Sequence, residues 1–372
     1  MDDLSPQERA IHDLLQANPF LGQAEIAEQL GLARSTIAAH IVSLIRKGRI
    51  LGRGYLFPEP KRIVCIGAAA VDRKYHAVAK LKPGTSNPVR GSRSFGGVAR
   101  NVAENLARLG VGVSLATILG EDENGREILR SLRDLGVDAS LISTAPSQST
   151  AEYAAILDEN NDLALGIADM AIFDSFGASQ LDRAWPQITA AAFVFADCNL
   201  PAESLSLLIA RARSAGFRLT IDTVSAPKAA KLPKDLAGVD ILFVNRDEAA
   251  ALLGNSLDGT RPEGIAASLR ERGAVNVVLT LGGEGALAVS PDAVIRVPAM
   301  KAKPLDVTGA GDAMIAGTLY RLLSGDSLAA AARTGALLAA LTTESESTVL
   351  TSLSAQALEA AMRRAPKGKP TR

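Results

Sequence analysis

The densest chemistry in this chain lies in Asp306-Val-Thr-Gly-Ala-Gly-Asp312, which runs straight into Ala313-Met-Ile-Ala-Gly-Thr-Leu-Tyr320. Two carboxylates flank two glycines and an alanine, and the residues that follow read as a helix. A helix start presents backbone N–H groups without intrahelical partners and carries partial positive charge. Gly309, Ala310 and Gly311 can therefore hold an anion such as a transferring phosphoryl group. Asp312 falls at the same helix mouth, where a carboxylate can take the proton of an alcohol attacking phosphorus. An ordinary Gly-rich strand-to-helix turn has the same composition, so this motif needs companions.

Phosphoryl transfer to an alcohol also requires a glycine-rich wall for the acceptor, a carboxylate for its hydroxyls and a nucleotide site. The chain offers a candidate for each. Ile63-Val-Cys-Ile-Gly-Ala-Ala-Ala-Val-Asp72 reads as a buried strand ending in a carboxylate, and Ser94-Phe-Gly-Gly-Val-Ala-Arg-Asn101 opens a helix. Asn245-Arg-Asp-Glu248 and Thr280-Leu-Gly-Gly-Glu-Gly285 follow later. Together these segments resemble the ribokinase (PfkB) family of carbohydrate and nucleoside kinases. Its two signatures are Gly-Gly-x-x-x-Asn and Asp-x-Thr-Gly-Ala-Gly-Asp, and the resemblance runs from about Arg62 to Thr351.

The resemblance implies a set of roles. Asp312 becomes the base for a sugar 5′-hydroxyl, with Gly309, Ala310 and Gly311 as the anion hole. Asp72 takes the ribose 2′ and 3′ hydroxyls, Gly97 lets the sugar approach the backbone, and Asn101 adds a donor and an acceptor. Asn199 stands where ribokinase has an acidic sugar contact. Asn87 and Asp169 are candidates for contacts to the base or lid, with turn formation as the plainer reading. Asn245 and Glu248 match an Asn-x-x-Glu that orders water and Mg²⁺ near the phosphates, from one face of a helix start. Thr280, Gly282 and Gly285 line the ATP site. Asp306 and Thr308 match positions near a monovalent cation, K⁺. The chain has no Gly-x-x-x-x-Gly-Lys-Ser/Thr segment, which argues against a P-loop kinase.

Finer fragments narrow the acceptor. Thr85-Ser-Asn-Pro88, Ala168-Asp-Met170, Ala196-Asp-Cys-Asn199, Asp222-Thr-Val-Ser-Ala226 and Gly311-Asp-Ala-Met314 resemble the branch of the family that phosphorylates pseudouridine. The alternatives are ribose or another nucleoside (cytidine, inosine or adenosine) as acceptor. A transcription regulator that senses nucleosides through a kinase fold is a further alternative, against which the intact Asp312 loop speaks.

These groups need a scaffold that brings them together. Apolar strand-like runs at 63–69, 113–118, 192–196, 218–221, 241–244 and 277–281 alternate with helical runs, among them 97–109, 123–135, 203–215, 246–253, 262–272, 310–323 and 326–341. That rhythm predicts an α/β fold with a largely parallel sheet covered on both faces, ligands binding at the carboxyl ends of its strands. Segments 74–95 and 149–165 break the rhythm and read as a small β lid or as surface hairpins. The resemblance places a lid there, over the acceptor.

Residues 1–57 read as a separate module. Ser5-Pro-Gln-Glu8 has the form of a capping box. Helices are expected from there to about Asn18, over 23–30 and over 34–47, with a glycine-punctuated hairpin at 48–57. This is a winged helix-turn-helix pattern. Residues 33–54 include Arg34, Arg46, Lys47, Arg49 and Arg53 and no acid, which suits double-stranded DNA, with Arg34, Ser35, Thr36, His40 and Arg53 as candidate contacts. A dimerisation or protein-contact module is the competing reading. Residues 58–61 form a linker and 366–372 a disordered tail, leaving 62–365 for the kinase.

Composition sets the bounds. Hydrophobic residues at 47% with zero formal net charge exclude a disordered or globally basic chain. Cys65 and Cys198 lie in apolar runs and read as reduced packing residues. The acidic start has no secretory pattern and no apolar run suits a bilayer, so a cytoplasmic protein without membrane contacts is expected. A homodimer is expected too, since winged-helix proteins commonly read paired half-sites.

Overall fold

A computed structural model describes residues 4–19, 21–51 and 61–364. Arg53, most of the expected wing (48–57), most of the linker (58–61) and the tail 366–372 lie outside the described residues.

Among the described residues the front module has three helices: α1 (Pro6–Ala17), α2 (Gln23–Leu30) and α3 (Arg34–Arg46). Ser5 caps α1 reciprocally: its Oγ accepts from Glu8 N at 3.2 Å, while Ser5 N donates to Glu8 Oε2 at 2.7 Å. Ile11, Leu15, Ile26, Ile37, Leu44 and Ile50 bury one face of each helix in a common core. Glu8 also accepts from Ser43 Oγ at 2.6 Å and Lys47 Nζ at 3.0 Å, fastening α1 to the end of α3. These bonds, that from Ser43 foremost, hold its carboxyl down at about 2. Gly48, at φ +65°, packs directly on the backbone of Thr189 and Ala190, where no Cβ would fit.

The body begins with β1 (Ile63–Ile66), β2 (Ala70–Ala77), β3 (Val89–Gly96) and α4 (Val98–Arg108), then β4 (Val113–Ala116), β5 (Ile118–Gly120), α5 (Glu123–Asp134), β6 (Ser143–Ala145), β7 (Glu152–Leu157) and β8 (Leu163–Asp169). Next come α6 (Ala178–Ala190), β9 (Phe193–Asp197), α7 (Ala202–Ala215), β10 (Leu219–Asp222), α8 (Ala226–Ala229), β11 (Val239–Asn245), α9 (Arg246–Leu253), α10 (Pro262–Glu271) and β12 (Asn276–Thr280). The chain then forms β13 (Ala286–Val289), β14 (Val294–Val297), α11 (Ala310–Leu323), α12 (Leu328–Thr343) and α13 (Ala355–Arg364).

Eight strands make the central sheet in the order β14-β13-β12-β11-β10-β9-β1-β4. Strands from β4 through β12 in this order run parallel, and β13 and β14 extend the edge antiparallel. Alternation puts successive side chains on opposite faces. Val64 and Ile66 join the core under α6, α7 and α10, whereas Ile63 and Cys65 join the core under α4 and α11. Both cysteines are buried free thiols. α11 and α12 approach closely through Gly317 and Gly335, where a Cβ on either residue would strike the other helix.

Segments 74–95 and 149–165 supply most of a second sheet, ordered β3-β2-β7-β8, of which β2 begins at Ala70. This revises the strand expected over 63–69. β1 stops at Ile66, Gly67 turns the chain, and Asp72 stands inside a strand of the small sheet. No helix among the described residues is long and apolar enough to cross a membrane.

Candidate active site

The strand order reverses at β1, which has β4 on one side and β9 on the other. A crevice opens outside the carboxyl ends of strands at such a reversal. Asp197, the last residue of β9, fills its floor and is fully buried. Its Oδ2 accepts from Ala68 N and Ala99 N, each at 2.9 Å, and its Oδ1 accepts from Asn199 N at 2.9 Å and Asn199 Nδ2 at 2.8 Å. One carboxylate thus joins the turn after β1, the first turn of α4 and the turn after β9. Burial still raises its pKa above the usual carboxylate range. A Cβ at Gly67 would collide with this carboxylate, and one at Gly97, at φ +92°, would collide with Ala68 O. Gly97 is therefore required by close packing on the β1 turn.

α4 carries the next layer. Asn101 Nδ2 donates to Asp312 Oδ2 at 2.8 Å, bridging α4 to the first turn of α11. Arg100, only 4% exposed, donates to Asn101 Oδ1 at 2.9 Å and Phe95 O at 3.1 Å and pairs with Glu104. With its oxygen committed to Arg100, the Asn101 amide can only donate toward Asp312. Gly309 caps α11 at φ +80°, where a Cβ would lie 2.0 Å from Thr348 O. The space beside Gly311 is open. The N–H groups of Gly311 and Asp312 precede the first intrahelical bond, Ala313 N to Gly309 O.

Burial raises the Asp312 pKa to about 7. Asn101 opposes this, and the charges of Asp197 and Asp72 add to it. Asp72 is raised to about 6, again by burial first, with Lys74 and Arg100 opposing. The charge of Asp72 helps to raise Asp312 and that of Arg100 lowers both, which sets Asp72 near the Asn101–Asp312 pair.

From the same small-sheet strand as Asp72, Lys74 Nζ pairs with Asp306 Oδ2 and lies 3.5 Å from Thr308 Oγ1. Asp306 Oδ1 accepts from Thr308 N at 2.9 Å and Thr308 Oγ1 at 2.6 Å. Burial raises the Asp306 pKa, but the bonds from Lys74 and Thr308 outweigh it and hold the carboxyl below its usual range. Lys74 Nζ already occupies the position between Asp306 Oδ2 and Thr308 Oγ1, so a second monovalent cation does not fit there in this arrangement.

A second acidic corner lies at the ends of β10 and β11. Burial pushes the Asp222 carboxyl well above its usual range, with the charges of Glu248 and Asp312 adding to the effect. It accepts from Val224 N at 3.2 Å, and Val224 is held at φ +67°, a strained conformation for a β-branched residue. Asn245 and Glu248 do not simply share a helix face. Asn245 is the N-cap of α9, its Oδ1 accepting from Glu248 N at 2.9 Å while Glu248 Oε2 accepts from Asn245 N at 2.9 Å and Thr223 Oγ1 at 2.6 Å. Asp222 and Glu248 are the carboxyl oxygens at this corner that a hard cation such as Mg²⁺ would take through water. Among the described residues no group of three or more His, Cys, Asp or Glu could hold a metal. At the neighbouring turn after β12, Gly282 and Gly283 face open space, as a nucleotide would need. Gly285 does not, since a Cβ there would meet Val297 O at 2.1 Å. Thr280 sits at the end of β12, its Oγ1 3.5 Å from Val244 O.

Other expected residues lie further out. Asn87 spends its side chain on its own loop, accepting from Lys82 N and donating to Lys82 O and Thr85 O. Asp169 is exposed at the end of β8. Asn199 is buried and accepts from Lys228 Nζ at 2.5 Å. In the front module Arg34 and Ser35 are exposed at the start of α3, Thr36 is half-buried, and His40 Nε2 lies 3.0 Å from Gln7 Oε1 on α1. A cavity of about 500 Å³ beside Arg93, Phe95 and Arg130 is lined by none of Asp72, Asp197, Asp222, Asp306 and Asp312.

Asp197 and Arg100 lie inside sequence motifs that assign them no role, and nothing local to Lys74 points to it. Asp197→Ala strands the N–H groups of Ala68, Ala99 and Asn199. It should cost about 3 kcal/mol, read as a lower urea midpoint, together with a large loss of any activity that depends on α4.

Comparison with known proteins agrees with this geometry. The description "pfkB family carbohydrate kinase" matches residues 60–355, and "Winged helix-turn-helix DNA-binding" matches residues 4–50. The chain is 32% identical over 348 residues to an uncharacterized sugar kinase, YeiI, of Escherichia coli (strain K12), covering 92% of this chain and 95% of that protein. It is 33% identical over 262 residues to a pseudouridine kinase of the same organism, covering 70% of this chain and 83% of that protein. A solved carbohydrate kinase from Agrobacterium tumefaciens superposes with a TM-score of 0.72 at 33% identity, covering 82% of this chain and 98% of that one. A ribokinase-like body with both signatures in contact, a helix-turn-helix module in front and these matches lead to one assignment: the chain belongs to the pfkB family of carbohydrate kinases.

Proposed function

We propose that the protein transfers the γ-phosphoryl group of ATP to the 5′-hydroxyl of a nucleoside, pseudouridine before others. The observation that carries this reading is the Asn101–Asp312 bond at the mouth of α11. The acceptor oxygen attacks phosphorus, Asp312 takes the hydroxyl proton, and ADP departs. The proton leaves late in a loose transition state, so placement of the base matters more than its strength. The N–H groups of Gly311 and Asp312 face the transferred group, with Gly309 and Ala310 shaping the turn. Asp72 accepts from the ribose 2′ and 3′ hydroxyls. Asn199, held by Asp197 and Lys228, supports the acceptor wall. Asn87 and Asp169 reach the base only through movement of the small sheet.

Thr280, Gly282 and Asn245 receive ATP, with Gly285 supporting the turn. Glu248, with Asp222 behind it, would hold Mg²⁺ through water, and the ion would supply charge neutralisation at the phosphates. The small sheet covers the acceptor and excludes water, which suppresses hydrolysis. Similarity to the pseudouridine kinase and the fragments quoted above support the choice of acceptor. Ribose, cytidine, inosine and adenosine are the competitors.

The winged helix-turn-helix match favours a second role, binding double-stranded DNA through Arg34, Ser35 and Thr36 at the start of α3, with His40 alongside; Arg53, outside the described residues, is a further candidate. Residues 1–57 and 62–365 would then divide the two tasks. Leu163, Leu165 and Ile167 stand exposed along one face of β8, and a second copy of the chain covering them would give the paired geometry that such DNA binding uses.

A panel of nucleosides and ribose with ATP and Mg²⁺ tests the acceptor: the highest kcat/KM is expected for pseudouridine, and ribose or uridine outcompeting it overturns that choice. Asp312→Asn should lower kcat by about 10²–10⁴-fold. The base works ionised, so log kcat/KM should climb with pH and level off above about 7, where burial has placed the Asp312 pKa. Because that pKa is raised relative to the unfolded chain, its favourable contribution to folding is present at low pH and lost as pH rises through about 7. Asp312→Asn should therefore melt higher than wild type at pH 8 while being nearly inactive. For DNA, Arg34→Ala should weaken binding and reduce the salt slope by about 1 if the contact is to phosphate; fluorescence anisotropy across a salt series reads both.

A further inference from the structure

The loop before the anion hole holds a cation of the protein's own. Asp72 and Lys74 are two residues apart on β2, so they share one face of the small sheet, while Arg73 turns the other way to Glu152 at 2.7 Å. Lys74 crosses from that sheet to the body and ends at Asp306 and Thr308. Its side chain is 19% exposed and that of Asp306 23%, so the pair is largely screened from solvent. The loop it reaches is fixed behind: Leu305 N and Asp306 N both donate to Thr343 O, at 2.7 and 3.2 Å. In front, Thr308 leads directly into Gly309, the cap of α11. A lysine ammonium is a compact monovalent charge with three donors. It sits against the two residues, Asp306 and Thr308, that the family resemblance placed near a monovalent cation.

We propose that Lys74 is the built-in monovalent cation of this site, organising the Asp306–Thr308 loop in place of K⁺ when the small sheet lies over the acceptor. The proposal rests on the kinase reading for its effect on rate. Lys74 is a positioning residue: it acts on the transferred phosphoryl group through the loop that leads into Gly309–Gly311. Because β2 carries both Asp72 and Lys74, closing the small sheet would bring the ribose contact and the loop cation into place together.

The test compares wild type with Lys74→Met, which keeps the aliphatic stem without the charge, and with Lys74→Gln as a second neutral variant. Initial rates with ATP and the best acceptor are measured in KCl and in choline chloride at equal ionic strength. Wild type should differ by less than about twofold between the salts. Each neutral variant should lose at least about tenfold in choline, roughly 1.4 kcal/mol, and recover much of it in KCl. Adding Asp306→Asn to Lys74→Met should abolish that recovery. Melting temperatures in the two salts, without ATP or acceptor, supply an arm independent of the substrate: KCl should raise Tm of the neutral variants by about 2–4 °C and leave wild type unmoved. Wild type that needs KCl for activity, neutral variants equally active in choline, or equal Tm responses in all proteins would each overturn the proposal. If wild type phosphorylates nothing in the panel, the functional reading fails and the melting arm alone decides the fate of Lys74.

Discussion

The architecture of the site depends on one buried carboxylate accepting four hydrogen bonds. Asp197 receives them from Ala68, Ala99 and Asn199, the last through both backbone and side chain. A buried charge is tolerated only when its acceptor capacity is filled. Here the filling groups come from the turn after β1, the start of α4 and the turn after β9. Satisfying the charge and aligning the crevice are the same act. Once α4 is pinned by its first turn, Asn101 faces α11, Arg100 fixes which way the Asn101 amide points, and Asp312 receives its donor.

Electrostatics then separates the carboxylates by environment. Asp312 and Asp72 are buried with too little positive charge nearby, and their pKa values rise into the range where proton exchange is easy. Asp306 is less buried and has Lys74 and Thr308 as partners, so it stays ionised. A base and a fixed anion thus come from chemically identical side chains six residues apart. The difference is supplied by α4 on one side and the small sheet on the other.

What could be read from the sequence follows the range of each interaction. The Gly-Gly and Gly-Ala-Gly-Asp segments are local, and their helix starts lie within a residue of where the glycines place them. The parallel sheet was legible because its strands are short apolar runs between helices. Asp197 was not, because its partners stand 129 and 98 residues away along the chain. Lys74 reaches 232 residues to Asp306 and looks, in sequence, like any strand-edge lysine. α6 was hidden by Pro186 in its interior, which reads as a breaker. Gly97 and Gly285 were expected to line the acceptor and nucleotide sites, and packing gives each glycine a different reason that no local pattern shows. Each accommodates a neighbouring backbone carbonyl.

Val224 shows what such a crevice demands of its walls. Left-handed backbone at a β-branched residue costs about 1–3 kcal/mol, and it persists beside Asp222, where the chain leaves β10. Glycine would adopt the same backbone without strain, but it would also remove a side chain that packs against the main core. The chain carries a sprung segment at that corner, and its rigidity is purchased from the stability of the whole sheet.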